Sequence, residues 1–405
     1  MKTLVGTLAF AVLAACVLLA VPDAQAAKKI KVGIVDCYSG PPSTYTNDVR
    51  DAFALAVKKI NAQGGVLGRE IEFVTRDSKF KVDIGLAAAK ELVMREDVDI
   101  LMGTINSALA LAVADLAKTE KIPFLATFAK SDKITGEKGN RYTFSMNENT
   151  AMIGKAAAVG LAKLPYTRYW IAGDDYEYGH AIAEGVWNHL KLLKPEVQLL
   201  GQSWWKVGEP DFTPYITAML AEKPDAVIVA TGGRGCVPFL KTAQATGFNK
   251  QVPFYMHTAT ELSTLKPLGT DAPEGVIGTA NYHSHYPDTE ANRAFVAEFE
   301  QAYGRTPAAG ALYGYITAQF ITKAYQKAGK VDTEKFIDAL EGLSVDSPIG
   351  EVTVRAEDHQ VMLPMFMGVT KKAPGEETLT ATDIVVIPAA ELMPSAEEIK
   401  KSRAK

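Results

Sequence analysis

The sequence predicts an α/β fold with two doubly wound, Rossmann-like lobes, and three features of the 405-residue chain indicate it. Short apolar runs alternate with amphipathic helical segments along most of the chain. The apolar runs are nearly continuous, which is typical of parallel strands that carry helices on both faces. The alternation starts again near residue 149, so the chain contains two halves of similar pattern.

The first half is predicted to contain four strands and three helices. The helix in "NDVRDAFALAVKKINAQGG" places Val49, Phe53 and Val57 on one face, and its Gly-Gly pair ends it. The strands are "KIKVGIVD", "REIEFVTRD", "VDILMG" and "IPFLATF", and the other two helices are "VDIGLAAAKELVMRE" and "SALALAVADLAKTE".

The second half repeats this alternation with the strands "TRYWIAGD", "VQLLGQSWW", "PDAVIVATGG" and "VPFYMHT" and the helices between them. Three further helices follow between residues 289 and 343, and then the strand pair "GEVTV" and "LPMFMGVT". We expect these late elements to return and complete the two lobes. The tail, residues 376–405, is predicted to be loosely packed and to end in a short charged helix.

Residues 1–26 have the pattern of an export signal peptide. A positive start precedes an apolar run over residues 4–21, and "AQA" at 24–26 offers a cleavage site. A second interpretation stays open, because "LAAC" resembles the processing box of bacterial lipoproteins and would leave Cys16 as a lipidated first residue. Both interpretations place the mature protein outside the cytoplasm, in the periplasm.

Composition excludes several classes of protein. Apolar residues make up 47% and charged residues 22% of the chain, as in soluble globular proteins, and the net charge of −4 gives no basic excess for nucleic-acid binding. Beyond the signal, Cys37 and Cys236 remain; they could pair in an oxidising compartment, and we expect two free thiols on different lobes.

The sequence carries no catalytic or cofactor motif of weight. It has no Gly-x-Ser-x-Gly elbow, no His-Glu-x-x-His helix and no phosphate-binding loop, so no enzyme and no cofactor is expected. His283 and His285 could bind a metal but are interpreted as a solvated loop pair. Asp174, Asp175 and Glu177 are interpreted in the same way, as helix-entry residues rather than cation ligands.

Several segments in the right order resemble one known family. The export signal precedes an "IKVG" strand, a Ser39-Gly40-Pro41 turn, a helix ending "INAQGGVLGR" and a strand ending at Asp77. "EKIPFLA", "YGHAIAEG", "AVIVATGG" and "GTDAPEGVIG" follow. Over residues 28–370 the chain resembles the type I periplasmic solute-binding proteins of ABC transporters, in the leucine/isoleucine/valine-binding branch.

This resemblance implies two lobes joined by three crossovers, near Met146–Ala151, Ala280–Tyr286 and Val345–Gly350. The first lobe would be residues 28–148 plus 282–345, and the second lobe 149–281 plus 346–375. A ligand would lie in the cleft between them and be trapped by hinge closure. The expected partners are the ligand and the membrane subunits of an ABC permease, and the protein is expected to be a monomer.

The resemblance also implies one wall of the ligand site. Ser107 matches a serine that binds the ligand carboxylate, and with Asn106 it lies where a helix N-terminus favours an anion; an ordinary helix cap is the alternative. Ala129 matches a backbone donor. Lys130 replaces a threonine of the family and either pairs with a carboxylate or is a solvated loop residue.

The remaining positions leave the ligand open. Tyr45 and Tyr178 match aromatic walls, whereas Tyr315 is a weaker candidate and is interpreted as core. On the far wall, the family's carboxylate that neutralises a ligand ammonium matches Ala259 or its neighbours, such as Thr258. Glu261 lies two residues later and takes that place if the alignment shifts by two, and Arg234 adds a cation.

A branched-chain amino acid is the family default, and an aromatic or aliphatic organic acid or a short amide is the alternative. A ligand-sensing module with the same fold is a further alternative.

Overall fold

The computed structural model of the chain describes residues 28–40, 42–232, 235–372 and 378–404, which form three β-sheets with helices packed on them. The predicted signal peptide, with Cys16, lies outside the described residues, as does Arg234. None of the helices in the described ranges has the length and apolarity that crossing a bilayer requires.

The strands of these ranges are, in chain order, β1 (Ile30–Asp36), β2 (Ile71–Asp77), β3 (Ile100–Gly103), β4 (Phe124–Ala126), β5 (Thr143–Ser145), β6 (Arg168–Asp174), β7 (Gln198–Trp205), β8 (Ala226–Ala230), β9 (Phe254–Met256), β10 (Ile277–Ala280), β11 (Ser344–Ser347), β12 (Gly350–Val354), β13 (Val361–Met362), β14 (Met365–Lys372) and β15 (Leu379–Ile387).

The helices are α1 (Ser43–Ala62), α2 (Val82–Met94), α3 (Ser107–Glu120), α4 (Thr150–Ala162), α5 (Glu177–Leu193), α6 (Thr213–Ala221), α7 (Cys236–Thr246), α8 (Phe248–Gln251), α9 (Leu262–Leu268), α10 (Glu290–Tyr303), α11 (Ala309–Ala328), α12 (Thr333–Leu340), α13 (Ala389–Leu392) and α14 (Ala396–Arg403).

The first lobe is built on a fully parallel five-stranded sheet with the order β2-β1-β3-β4-β5. The late helices α10 and α11 pack against α1, and α12 packs against α11, so all three lie on this lobe. A Cβ at Gly314 would lie 2.1 Å from the carbonyl oxygen of Val49. Glycine therefore lets the backbones of α11 and α1 touch.

The second lobe is built on a seven-stranded sheet with the order β15-β14-β10-β9-β8-β6-β7. Strands β6 to β10 are parallel, and β14 and β15 extend them in the antiparallel sense. Helices α4 and α5 approach closely on this lobe, because a Cβ at Gly154 would lie 2.5 Å from the backbone of Gly185. Two adjacent α/β units with parallel sheets confirm the predicted fold class.

The predicted third crossover is misplaced. Residues 345–350 lie in the small antiparallel sheet β11-β12-β13, which packs on α11 of the first lobe. The loop between β12 and β13 also contacts the first lobe: His359 stacks on Phe144 with 4.0 Å between the ring centroids, and Gln360 forms a β-bridge with Ser145. The chain returns to the second lobe only at β14, so the predicted strands "GEVTV" and "LPMFMGVT" belong to different sheets.

The prediction of a loosely packed tail is wrong for residues 379–387. They form β15, whose Leu379, Ala381 and Ile387 are buried against the second lobe. The last residues also contact both lobes, since Lys155 donates to the carbonyl of Met393 at 3.2 Å and Arg403 donates to that of Thr135 at 3.0 Å. The short charged helix at the end, α14, is confirmed.

Cys37 and Cys236 are both buried free thiols, as predicted. The interpretation of His283 as a solvated residue is wrong, because its side chain is buried beside His285 and Phe366. Burial and the neighbouring His285 lower the pKa of His283 to about 3, so the ring is neutral. Tyr315 packs edge to face on Phe295, with ring centroids 5.2 Å apart, away from the cleft residues.

Candidate functional site

A cavity of about 470 Å³, its open mouth included, lies between the two lobes. Its walls come from segments that follow the carboxyl ends of parallel strands, where open α/β sheets bind ligands. The lining is mainly aromatic and consists of Tyr45, Phe80, Ile105, Ser107, Phe128, Lys130, Tyr176, Tyr178, Gly232 and Thr258.

The start of α3 forms the polar end of the first-lobe wall. Asn106 is the helix cap: its side-chain oxygen accepts from the N–H of Leu109 at 3.1 Å, and its amide donates to the carbonyl of Phe80 at 3.3 Å. The cap is therefore Asn106, and Ser107 is the first helical residue. The Ser107 hydroxyl makes no hydrogen bond within the described ranges, and it faces the cavity at the positive end of the helix dipole.

Aromatic rings form the apolar part of the cavity. Tyr45 meets Phe128 edge to face with centroids 5.6 Å apart, and Tyr176 stacks beside Tyr178 at 6.0 Å. Gly232 makes room for Tyr178, because a Cβ there would lie 2.6 Å from the tyrosine ring. Such walls suit a flat or branched apolar group.

A strained residue closes the second-lobe wall. Thr258 has a φ of 68°, which is rare for a β-branched side chain, and its N–H donates to the carbonyl of Thr279 at 3.2 Å. On the same lobe, buried Asp174 accepts from the Thr231 hydroxyl at 2.6 Å and from the N–H of Gly232 at 3.0 Å. Asp174 thus braces the second-lobe wall.

Lys130 is buried, with 4% of its surface exposed, and turns its ammonium group away from solvent. The ammonium contacts the carboxylate of Glu148 and lies 3.4 Å from the hydroxyl of Tyr313. It also lies 4.5 Å from the ring centroid of Phe128 and 5.0 Å from that of Tyr313. The alternative of a solvated loop lysine is therefore wrong.

Glu148 is the centre of this buried cluster and is fully shielded from solvent. Tyr313 donates to its second oxygen at 2.5 Å. Burial alone would raise its pKa, but the charge of the contacting Lys130 ammonium and the nearby His257 ring outweigh burial and lower the pKa of Glu148 to about 2. Glu148 is therefore ionised at neutral pH.

His257 lies behind Glu148, with Nε2 3.4 Å from the carboxylate and Nδ1 2.9 Å from the hydroxyl of Thr279. The Tyr255 hydroxyl lies 2.7 Å from the same Thr279 oxygen. Burial lowers the pKa of His257, so its ring is neutral.

Glu261 is the second buried carboxyl group, with no exposed surface. One oxygen accepts from Ser263 at 3.2 Å, and the other has no partner in the described part of the chain. Burial, together with the charge of Glu148, raises the pKa of Glu261 to about 8. Ligand atoms of Glu148, His257 and Glu261 lie within 4.8 Å of one another, but the adjacent Lys130 ammonium opposes a metal ion there.

The sequence profile of the family described as periplasmic binding protein matches residues 29–374. The chain belongs to this family. It is 24% identical over 376 residues to the Leu/Ile/Val-binding protein homolog 4 of Brucella abortus, with 89% of each chain covered.

Two solved structures are similar to this periplasmic binding protein. One is an amino acid ABC transporter substrate-binding protein from Pseudomonas fluorescens, with a TM-score of 0.82, 24% identity, and coverage of 92% of this chain and 98% of that one. The other is a solute-binding protein of an ABC transporter from Rhodopseudomonas palustris in complex with 3,4-dihydroxybenzoic acid. Its TM-score is 0.80, with 22% identity and coverage of 89% of this chain and 98% of that one.

The predicted site residues of this periplasmic binding protein separate into three groups. Five of them line the inter-lobe cavity, namely Tyr45, Ser107, Lys130, Tyr178 and Thr258. Asn106 caps α3, and Ala129 and Glu261 are buried residues that do not line the cavity. Arg234 lies outside the described residues.

Sequence reasoning missed both the other aromatic walls and the buried cluster. Phe80, Phe128 and Tyr176 each follow a strand, and an aromatic residue at that position was the signal that could have found them. For Glu148, the signal was an acidic residue in the otherwise uncharged segment "TFSMNENTAM".

Proposed function

We propose that this ABC transporter solute-binding protein traps a small aromatic carboxylate between its lobes and delivers it to a membrane permease from the periplasm. The observation that carries the proposal is the charge pattern of the cavity. The positive end of α3 and the free Ser107 hydroxyl face an aromatic space, and no carboxylate lines that space among the described residues.

The opposite wall supports a ligand without an ammonium group. Glu148 already pairs with Lys130, and Glu261 is held as a neutral acid behind the wall because burial raises its pKa to about 8. A zwitterionic ligand would bring a second cation to this place without a free anion to receive it. The solved relative that binds 3,4-dihydroxybenzoic acid is consistent with this ligand class.

A panel of matched ligands tests the proposal on protein that has been unfolded and refolded to remove copurified solute. Phenylacetate and phenylglycine differ only in the ammonium group, as do isovalerate and valine, and benzamide replaces the charge of benzoate by a neutral amide. We expect thermal-shift and calorimetric binding to the acids and weak binding to their partners. Preferred binding of valine would support the amino-acid alternative, and turnover of any ligand would contradict a transport role.

A further inference from the structure

The Lys130 ammonium occupies an almost complete ammonium-binding site. It is held by the Glu148 carboxylate and lies against the faces of two aromatic rings, Phe128 and Tyr313. Carboxylates and aromatic faces are the groups with which proteins bind ammonium ions. We call the group formed by Glu148, Phe128 and Tyr313 around this ammonium the corner. The corner has the chemistry of a subsite for a ligand ammonium group, but the bound cation is the protein's own Lys130.

The charges of the corner balance only because Lys130 is present. Glu148 is ionised, His257 is neutral, and Glu261 holds a proton at neutral pH. One buried cation thus faces one buried anion, and removal of either leaves a buried charge unpaired. Glu261 keeps one oxygen without a partner among the residues that the structure describes, so this group of side chains can accept a further donor if the lysine is absent.

The corner opens on the ligand cavity. Lys130 lines that cavity together with Ser107, whereas Glu148, which the Lys130 ammonium contacts, and Glu261 are fully buried and do not line it. Truncation of Lys130 would therefore connect the two carboxyl groups to the space that holds the ligand.

We propose that Lys130 is a tethered ammonium group that excludes ligand ammonium groups, so that this one side chain sets the choice between simple carboxylates and zwitterionic amino acids. The inference rests on the proposed function, because it takes the Ser107 end of the cavity as the carboxylate subsite. Lys130 acts here as a specificity-determining residue of the binding site.

The decisive variant is Lys130→Ala, measured by calorimetry with phenylacetate against phenylglycine and isovalerate against valine. We expect the preference between the members of each pair to move toward the amino acid by about 10- to 100-fold, the range for one gained hydrogen-bonded charge pair. An unchanged preference in a folded variant would overturn the inference.

Two further measurements keep the result interpretable. Lys130→Met combined with Glu148→Gln retains the volume and removes both charges, so it should fold and bind neither amino acid better than the wild type. Methylammonium chloride should raise the melting temperature of Lys130→Ala relative to sodium chloride, and should leave the double variant unchanged. If the wild type binds none of the acids, the proposed function is wrong. Methylammonium binding to Lys130→Ala still tests the inference in that case, and the absence of any methylammonium effect would contradict it.

Discussion

The hydroxyl oxygens of Tyr45 and Thr264 lie 3.1 Å apart and join the two lobes. Tyr45 belongs to α1 of the first lobe and Thr264 to α9 of the second lobe. Both side chains are buried, so a movement that separated the lobes would break this contact.

Replacement of this contact should weaken ligand binding without removing the aromatic wall. Tyr45→Phe keeps the ring but leaves the Thr264 hydroxyl unpaired in the closed state. We expect the affinity to fall by about 0.5–1.5 kcal/mol, mainly through faster ligand release. Stopped-flow dissociation measures this. Thr264→Val should lower the affinity by about the same amount. If the affinity losses of Tyr45→Phe and Thr264→Val add up in the double variant, the two hydroxyls do not act together.

A second inter-lobe contact is electrostatic. Glu177 of α5 accepts from the Ser131 hydroxyl at 3.0 Å and lies 2.9 Å from the Lys133 ammonium. Glu177→Gln should shift the protein toward an open arrangement and lower the affinity by about 0.2–1 kcal/mol, the range for a partly exposed pair. Small-angle scattering in the absence of ligand checks the opening. The wild-type affinity should fall with added salt, and the variant should lose this dependence; equal salt dependence would contradict the role.

Substitution of Ser107 should affect ligand affinity, whereas substitution of Asn106 should affect folding stability. Ser107→Ala is expected to weaken carboxylate binding by about 1–3 kcal/mol, since a charged group loses its hydrogen bond, and to leave the melting temperature nearly unchanged. Asn106→Ala is the matched control: it removes the helix cap and should cost about 1 kcal/mol of unfolding free energy. Unchanged affinity in Ser107→Ala would exclude an anion subsite at α3.

Glu261 should make the stability depend on pH. Its pKa rises from an ordinary 4.5 to about 8 in the folded protein, so the folded state retains a proton that the unfolded state releases. The contribution of Glu261 to the free energy of unfolding is therefore fully present below about pH 4.5. It falls as the pH rises toward 8, by at most about 1.4 kcal/mol per pH unit.

Glu261→Gln removes this titration. Urea unfolding at pH 5 and pH 8 should show the stability of the variant increasing relative to that of the wild type as the pH rises. A stability difference that stays constant between the two pH values would mean that Glu261 titrates normally.

Much of the fold follows from local patterns in the sequence. The continuous apolar runs and the amphipathic helices specify parallel strands and covering layers, because burial on both faces demands apolar residues at successive positions. The small polar residues between β3 and α3 likewise indicate a helix N-terminus that can hold an anion. The strand β15 was missed because its apolar residues do not mark one buried face, since Val385 and Val386 are exposed, and because its pairing with β14 is a tertiary contact.

The sequence by itself determined the α/β architecture, the helix start at Asn106 and Ser107, and the family to which the chain belongs. Only the tertiary structure decided how the charges of the site combine. Lys130, Glu148, His257, Glu261 and Tyr313 come from distant parts of the chain and meet in one buried cluster. The physical reason is that pairing and pKa depend on distance and burial, which spacing along the chain does not specify.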